Sequence, residues 1–165
     1  PHQISAELTS FVSGRKLDDN AQISLRLNGG AKASIWSSQI APGNENHLQI
    51  RIYGEKGGLE WCQEDPNYLY FTQYGHPKQK ITRGGAGALS AANEVSRIPP
   101  GHPEGYLEGF ANIYSDVANA LIDKKNNEYD SSKYHYPVVE DGLEGIRFIE
   151  RSIASSNSDS SWINF

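Results

Sequence analysis

The sequence predicts an α+β fold: an open, mostly antiparallel β-sheet with helices packed on one face. Three observations carry this. Most of the first half alternates apolar and polar residues with a period of two, interrupted by Gly- and Pro-containing turns. The second half holds two stretches whose apolar residues recur at three-four spacing. A run of strands joined by short turns, followed by a run of helices, gives an antiparallel sheet with its helices gathered on one side.

Residues 4–12 read as the first strand, with Ala6, Leu8 and Ser10 on one face. A polar connector from Gly14 to Asn20 follows, and then Ile23, Leu25 and Leu27 alternate with Ser24 and Arg26. Asn28-Gly29 introduces the next alternating run of Ala31, Ala33 and Ile35, and Asn-Gly between two such runs signals a hairpin whose turn residues take positive φ. Leu48, Ile50 and Ile52 form a third alternating run; Gly54 to Gly58 turns it, and Leu59 and Trp61 lead back. Asp65-Pro66-Asn67 is a turn before the strand of residues 68–72, and Ile81 to Arg83 reads as one more short strand. Residues 84–100 form an irregular connector over the sheet, or alternatively a lid or arm.

The long helix is the segment 101–122, the cover that the strands need. Pro103 suits a first helical position, which places His102 at the N-cap and Glu104 in the first turn. Leu107, Phe110, Ala111, Tyr114, Val117, Ala118 and Leu121 make one apolar stripe, with Glu108, Asn112, Asp116, Asn119 and Asp123 opposite. Gly101, Gly105 and Gly109, spaced by four, read as close packing of backbone on the sheet, with a ligand approaching the helix start as the alternative. Asp141 and Glu144 resemble a capping box for a second helix that carries Leu143, Ile146, Ile149 and Ile153 to about Ser155. Trp162 and Ile163 are placed to dock as a last strand. A sheet covered on one side leaves a face that is solvated or meets a second subunit or domain.

Length and composition narrow the function. At 165 residues the chain suits one domain, here 1–165. The net charge of −5 argues against a nucleic-acid partner, which needs a basic face. No apolar run is long enough for a membrane helix. A single cysteine, Cys62, forms no disulfide framework and suits a reducing, cytoplasmic setting; in its strand it reads as a buried structural thiol. Pro1 at the start and the absence of Met suggest a piece of a longer chain.

Catalytic constellations are missing. The five histidines have no metal-ligand spacing, and no Gly-x-Gly-x-x-Gly follows a strand; Gly84-Gly85-Ala86-Gly87 is a weak phosphate cradle. Asp18-Asp19 and Glu140-Asp141 are adjacent carboxylates suited to turns and caps. A hydrolase using Glu45 and Glu104 is a poor reading, since nothing brings the two together. The best binding candidates are His102, at a helix start where a ligand oxygen could be received, and Tyr106 one turn further in; the polar cluster Asn44 to His47 is a lesser one.

Three stretches carry a family likeness: Gly101-His102-Pro103-Glu104-Gly105-Tyr106 followed by Phe110 to Tyr114; Ile52-Tyr53-Gly54-Glu55-Lys56-Gly57-Gly58-Leu59-Glu60-Trp61; and Asp141 to Glu150. Together they resemble the C-terminal half of the Gfo/Idh/MocA oxidoreductases, the glucose–fructose oxidoreductase and inositol dehydrogenase group. The likeness runs from about residue 5 to Trp162. It implies a parent enzyme with an N-terminal Rossmann domain that binds NAD or NADP and moves a hydride to or from a secondary alcohol of a sugar or cyclitol. The nucleotide fingerprint and the acid/base residues of that family lie outside this chain, so the resemblance assigns no catalytic or cofactor residue here. It leaves the substrate-side wall, with His102 and Tyr106 as contacts, and a homo-oligomer formed through the open sheet face. The alternative is a non-enzymatic sugar-binding or dimerisation module.

Overall fold

The alternating stretches form strands β1 (Gln3–Thr9), β2 (Asn20–Arg26), β3 (Lys32–Ser38), β4 (Gln49–Gly54), β5 (Gly57–Cys62), β6 (Tyr68–Gln73) and β7 (Gln79–Thr82), and the chain ends on β8 (Ile163–Asn164). The helices are α1 (Ser90–Glu94), α2 (Tyr106–Asn126) and α3 (Val139–Ser156). This computed structural model describes residues 1–165. They fold as two compact units, one of residues 1–43 with 137–165 and one of residues 44–136. The expected antiparallel strands are thus divided between two four-stranded sheets, ordered β3-β2-β1-β8 and β4-β5-β6-β7.

In the first unit, Gly29 and Gly30 carry the positive φ of the β2–β3 turn, at 84° and 89°, so the glycines and not Asn28 supply the left-handed residues. Ile4 and Ala6 of β1 with Ala21, Ile23 and Leu25 of β2 form the buried core, and Phe148 of α3 and Ile163 of β8 pack on it. Asp19 closes the β1–β2 connection. Its carboxylate accepts from the Phe11 and Val12 N–H groups, at 2.9 Å each, and pairs with Arg15 at 3.4 Å. The Phe11 N–H, more than any other group, holds this carboxyl below its usual range.

Strand β8 pairs only with Gln3 and Ile4, so the rest of that edge of β1 would present unpaired N–H groups. Helix α3 supplies hydroxyls instead of a strand. Ser155 Oγ accepts from the Ala6 N–H at 2.9 Å and donates to the Ser161 carbonyl at 2.7 Å; Ser156 Oγ accepts from the Leu8 N–H at 3.1 Å. Ser155 is fully buried. The N-cap of α3 lies three residues before the expected one: Val138 is the N-cap and its N–H donates to Asp141 at 2.8 Å, so Asp141 serves from inside the first turn.

In the second unit, β4 and β5 join through Glu55 and Lys56. Cross-strand partners sort the residues into two faces. Ile50 and Ile52 oppose Trp61 and Leu59, which oppose Leu69 and Phe71, making one face apolar. The row Arg51, Glu60, Tyr70 and Lys80 lies on the other.

The start of α2 corrects the expectation for His102. The helix begins at Tyr106 with Gly105 as N-cap, and the Gly105 N–H donates to Glu108 Oε2 at 2.9 Å. His102 is not a cap residue; it lies in the turn before the helix, behind Gly101 at φ 85°. The cause is Glu104, whose side chain is drawn away to partners described below. At the other end Asn127 adopts the left-handed conformation at φ 61°, and its N–H and that of Glu128 return to the Asp123 and Lys124 carbonyls.

Both long helices are oriented differently from the expectation that their apolar stripes cover a sheet. Helix α2 is held by its polar side. Asn112 donates to the Val95 carbonyl, Asp116 accepts from the His135 N–H, and Asp123 accepts from the Tyr134 hydroxyl at 2.6 Å, a bond that pushes the phenol up to about 12. Buried Ala120 shares that side, while Leu107, Phe110, Tyr114 and Leu121 are 50–76% exposed. Helix α3 likewise buries Ser152 and Ser155 and leaves Leu143, Ile146, Ile149 and Ile153 exposed.

Ser155→Ala would leave the Ala6 N–H buried without a partner, and is expected to lower stability by about 1–3 kcal/mol. Urea unfolding monitored by circular dichroism checks this against Ser158→Ala, an exposed control.

Candidate functional site

The site is built from the end of the β6–β7 pair and the turn that follows Pro99. Asn67 ends the 65–67 turn just before β6. Thr82 ends β7, and Arg83 comes next. An open cleft of about 330 Å³ lies between Asn67, Tyr68, Thr82 and Arg83 on one side and the turn at 100–103, which carries His102, on the other.

Arg83 and Glu104 hold the two sides together. Their side chains, 15% and 4% exposed, meet at 2.7 Å. Glu104 also accepts from the Arg97 N–H at 2.8 and 3.1 Å and from the Ile98 N–H at 3.4 Å. Arg83 donates from Nε to Asn67 Oδ1 at 3.0 Å and from its terminal nitrogens to the carbonyls of Ile98, Pro99 and His102, at 2.9, 3.4 and 2.7 Å. No buried side-chain nitrogen or oxygen is left without a hydrogen-bond partner, as burial requires. Glu104 is thus engaged with Arg83 and the loop amides, and Glu45 remains in the exposed loop before β4.

The His102 ring rests on the same loop, with Nδ1 3.3 Å from the Pro99 carbonyl. With the proton on Nδ1 donated to that carbonyl, Nε2 is the acceptor nitrogen. Tyr68 and Thr82, each carrying a hydroxyl, line the same cleft, whereas Asn67 Oδ1 is taken up by Arg83 Nε and the Glu104 N–H. Tyr106 does not line the cleft; it is 65% exposed and its ring lies edge-on to Phe110 at 5.1 Å.

None of the other candidates lines this cleft. The 84–87 turn packs on its own chain: a Cβ at Gly85 would fall 2.0 Å from Thr82 Oγ1, and one at Gly87 would touch Ile81. It does not fit a nucleotide phosphate. His47, at φ 48°, faces Glu64 at 3.6 Å in an exposed pair. Cys62 is free and half-buried.

Three comparisons place the chain among known proteins. Residues 2–165 match the oxidoreductase family C-terminal alpha/beta domain of the Gfo/Idh/MocA group. The chain belongs to this family. It is 36% identical over 166 residues to the oxidoreductase YfiI of Bacillus subtilis (strain 168), covering 99% of this chain and 42% of that protein. It superimposes on the crystal structure of an oxidoreductase from Sinorhizobium meliloti with a TM-score of 0.90 and 52% identity, covering 98% of this chain and 46% of the other. An inositol dehydrogenase homolog from Azotobacter vinelandii, in complex with NADH and myo-inositol, gives a TM-score of 0.93 at 31% identity over 99% of this chain and 44% of that one. The chain thus spans less than half the length of these relatives. No helix in it is long and apolar enough to cross a membrane.

The three glycines spaced by four have separate explanations, contrary to the single packing line expected. Gly101 takes a left-handed φ, Gly105 abuts Pro66, and Gly109 has open space around it. Gly105→Ala would set its Cβ 2.7 Å from Pro66 Cγ and is expected to destabilise by about 1–3 kcal/mol. Gly109→Ala, inside an exposed helix, is expected to stabilise by about 1 kcal/mol. Thermal unfolding of the two variants checks the opposite signs.

Proposed function

We propose that this chain is the substrate-side and oligomerisation domain of an NAD(P)-dependent oxidoreductase that acts on a secondary alcohol of a sugar or cyclitol. The observation that carries the reading is the likeness, across nearly the whole chain, to the inositol dehydrogenase homolog crystallised with NADH and myo-inositol. In this reading the nucleotide and the catalytic acid/base groups belong to the remainder of a longer parent, in an N-terminal Rossmann domain. The chain's share of its relatives' length supports that division, as does the exposed stripe of α2, which offers apolar surface to another body.

His102 forms the wall that receives the substrate, its Nε2 accepting from a substrate hydroxyl beside the polar groups of Tyr68 and Thr82. Tyr106, the second residue expected here, lies outside the cleft and would reach substrate only where it extends beyond that lining. Nicotinamide chemistry supplies the hydride step; this chain binds and orients the alcohol. The exposed Ile50 and Ile52 of edge strand β4 support self-association through that sheet.

The purified parent protein is expected to reduce NAD+ or NADP+ when given myo-inositol or another member of a panel of cyclitols and hexoses, while the 165-residue chain alone gives no turnover. Cofactor absorbance records the rate. Sedimentation is expected to find an oligomer that Ile50→Lys dissociates. Absence of turnover by the parent across the panel, or turnover by the isolated chain, contradicts the proposal.

A further inference from the structure

We propose that Arg83 is the positioning residue for His102: it acts on the cleft by fixing the loop that carries the imidazole, and it takes no part in binding the ligand. This rests on the reading above, in which His102 faces the substrate. A guanidinium has five N–H groups in a fixed fork. Arg83 uses one on Asn67 Oδ1, and its two terminal nitrogens serve four acceptors: Glu104 Oε2 and the carbonyls of Ile98, Pro99 and His102. The side chain lines the cleft, yet no donor is left over for a ligand oxygen.

What the five donors fix is the orientation of His102. One holds the His102 carbonyl at 2.7 Å, and another reaches, at 3.4 Å, the Pro99 carbonyl that lies 3.3 Å from the imidazole Nδ1. Both ends of the turn that presents the ring are tied to one side chain, so the direction of Nε2 follows from the position of Arg83. Lysine keeps the charge and could still meet Glu104. It has one nitrogen with three N–H groups, no planar fork, and cannot hold the three carbonyls and Asn67 together. Arg83→Lys should therefore leave the fold standing and release the turn.

The test is a double-mutant cycle in the parent protein, with myo-inositol or whichever member of the cyclitol and hexose panel is turned over. Kinetics are measured for Arg83→Lys, His102→Ala and the pair. Misplacing a positioned group by about 1 Å costs on the order of 100-fold, and each single variant is expected to lower kcat/KM by about 10–100-fold. The double variant is expected to be no worse than His102→Ala alone, because Arg83 has nothing left to position. A merely structural ion pair would give losses that multiply. If His102→Ala matters and the losses multiply, the positioning role is overturned and the site reading stands. If His102→Ala changes kcat/KM less than about twofold, the site reading itself fails and the inference falls with it. Inactivity of the parent on the whole panel overturns both. Should Arg83→Lys unfold, as judged by circular dichroism, Asn67→Ala removes the acceptor of Nε and is expected to show the same non-additivity with His102→Ala.

Discussion

The contact between Arg83 and Glu104 is the constraint on which the geometry of the cleft depends. Both groups are withdrawn from water, and each is charged. Removing one partner of a buried pair typically costs about 3–5 kcal/mol, because the other charge is left uncompensated. Here the pair does more than neutralise itself. Glu104 collects the amides of Arg97 and Ile98, and Arg83 collects the carbonyls of Ile98, Pro99 and His102. An irregular segment rich in proline has few donors with which to form regular structure. Its conformation is instead imposed from one side chain at the end of β7 and one just before α2. A single His, carried on that segment, thereby acquires a fixed place beside Tyr68 and Thr82.

The two long helices follow a related logic. Each is anchored through hydrogen bonds made by polar side chains to backbone groups: Asn112 and Asp116 on α2, and Ser155 and Ser156 on α3. Such bonds specify orientation more sharply than apolar contact, because they require particular atoms at particular distances. They leave the apolar stripes of both helices turned outward.

Much of the fold was legible in the sequence. Period-two alternation located the strands, the Gly29-Gly30 and Gly54–Gly58 stretches located two hairpins, and the spacing of Leu143, Ile146, Ile149 and Ile153 located α3. Periodicity names an apolar stripe but not the surface it meets, so the orientation of α2 and α3 could not be read from it. The start of α2 was misplaced for a physical reason. Pro103 is a sound local signal, but Glu104 is committed to Arg83, more than a dozen residues away, and a long-range buried pair overrides a local preference. His102 was singled out as the cap of a helix, and the structure places that cap three residues further on, at Gly105. Arg83 and Asn67 were not singled out, since a lone Arg after a short strand and an Asn in a turn carry no spacing signal of their role.

Native-state amide hydrogen exchange tests the claim that Glu104 and Arg83 fix this loop. The account predicts that the Arg97 amide, which donates to both Glu104 oxygens, exchanges as slowly as the paired amides of β6. Exchange as fast as that of the exposed loop at residues 16–18 would contradict it.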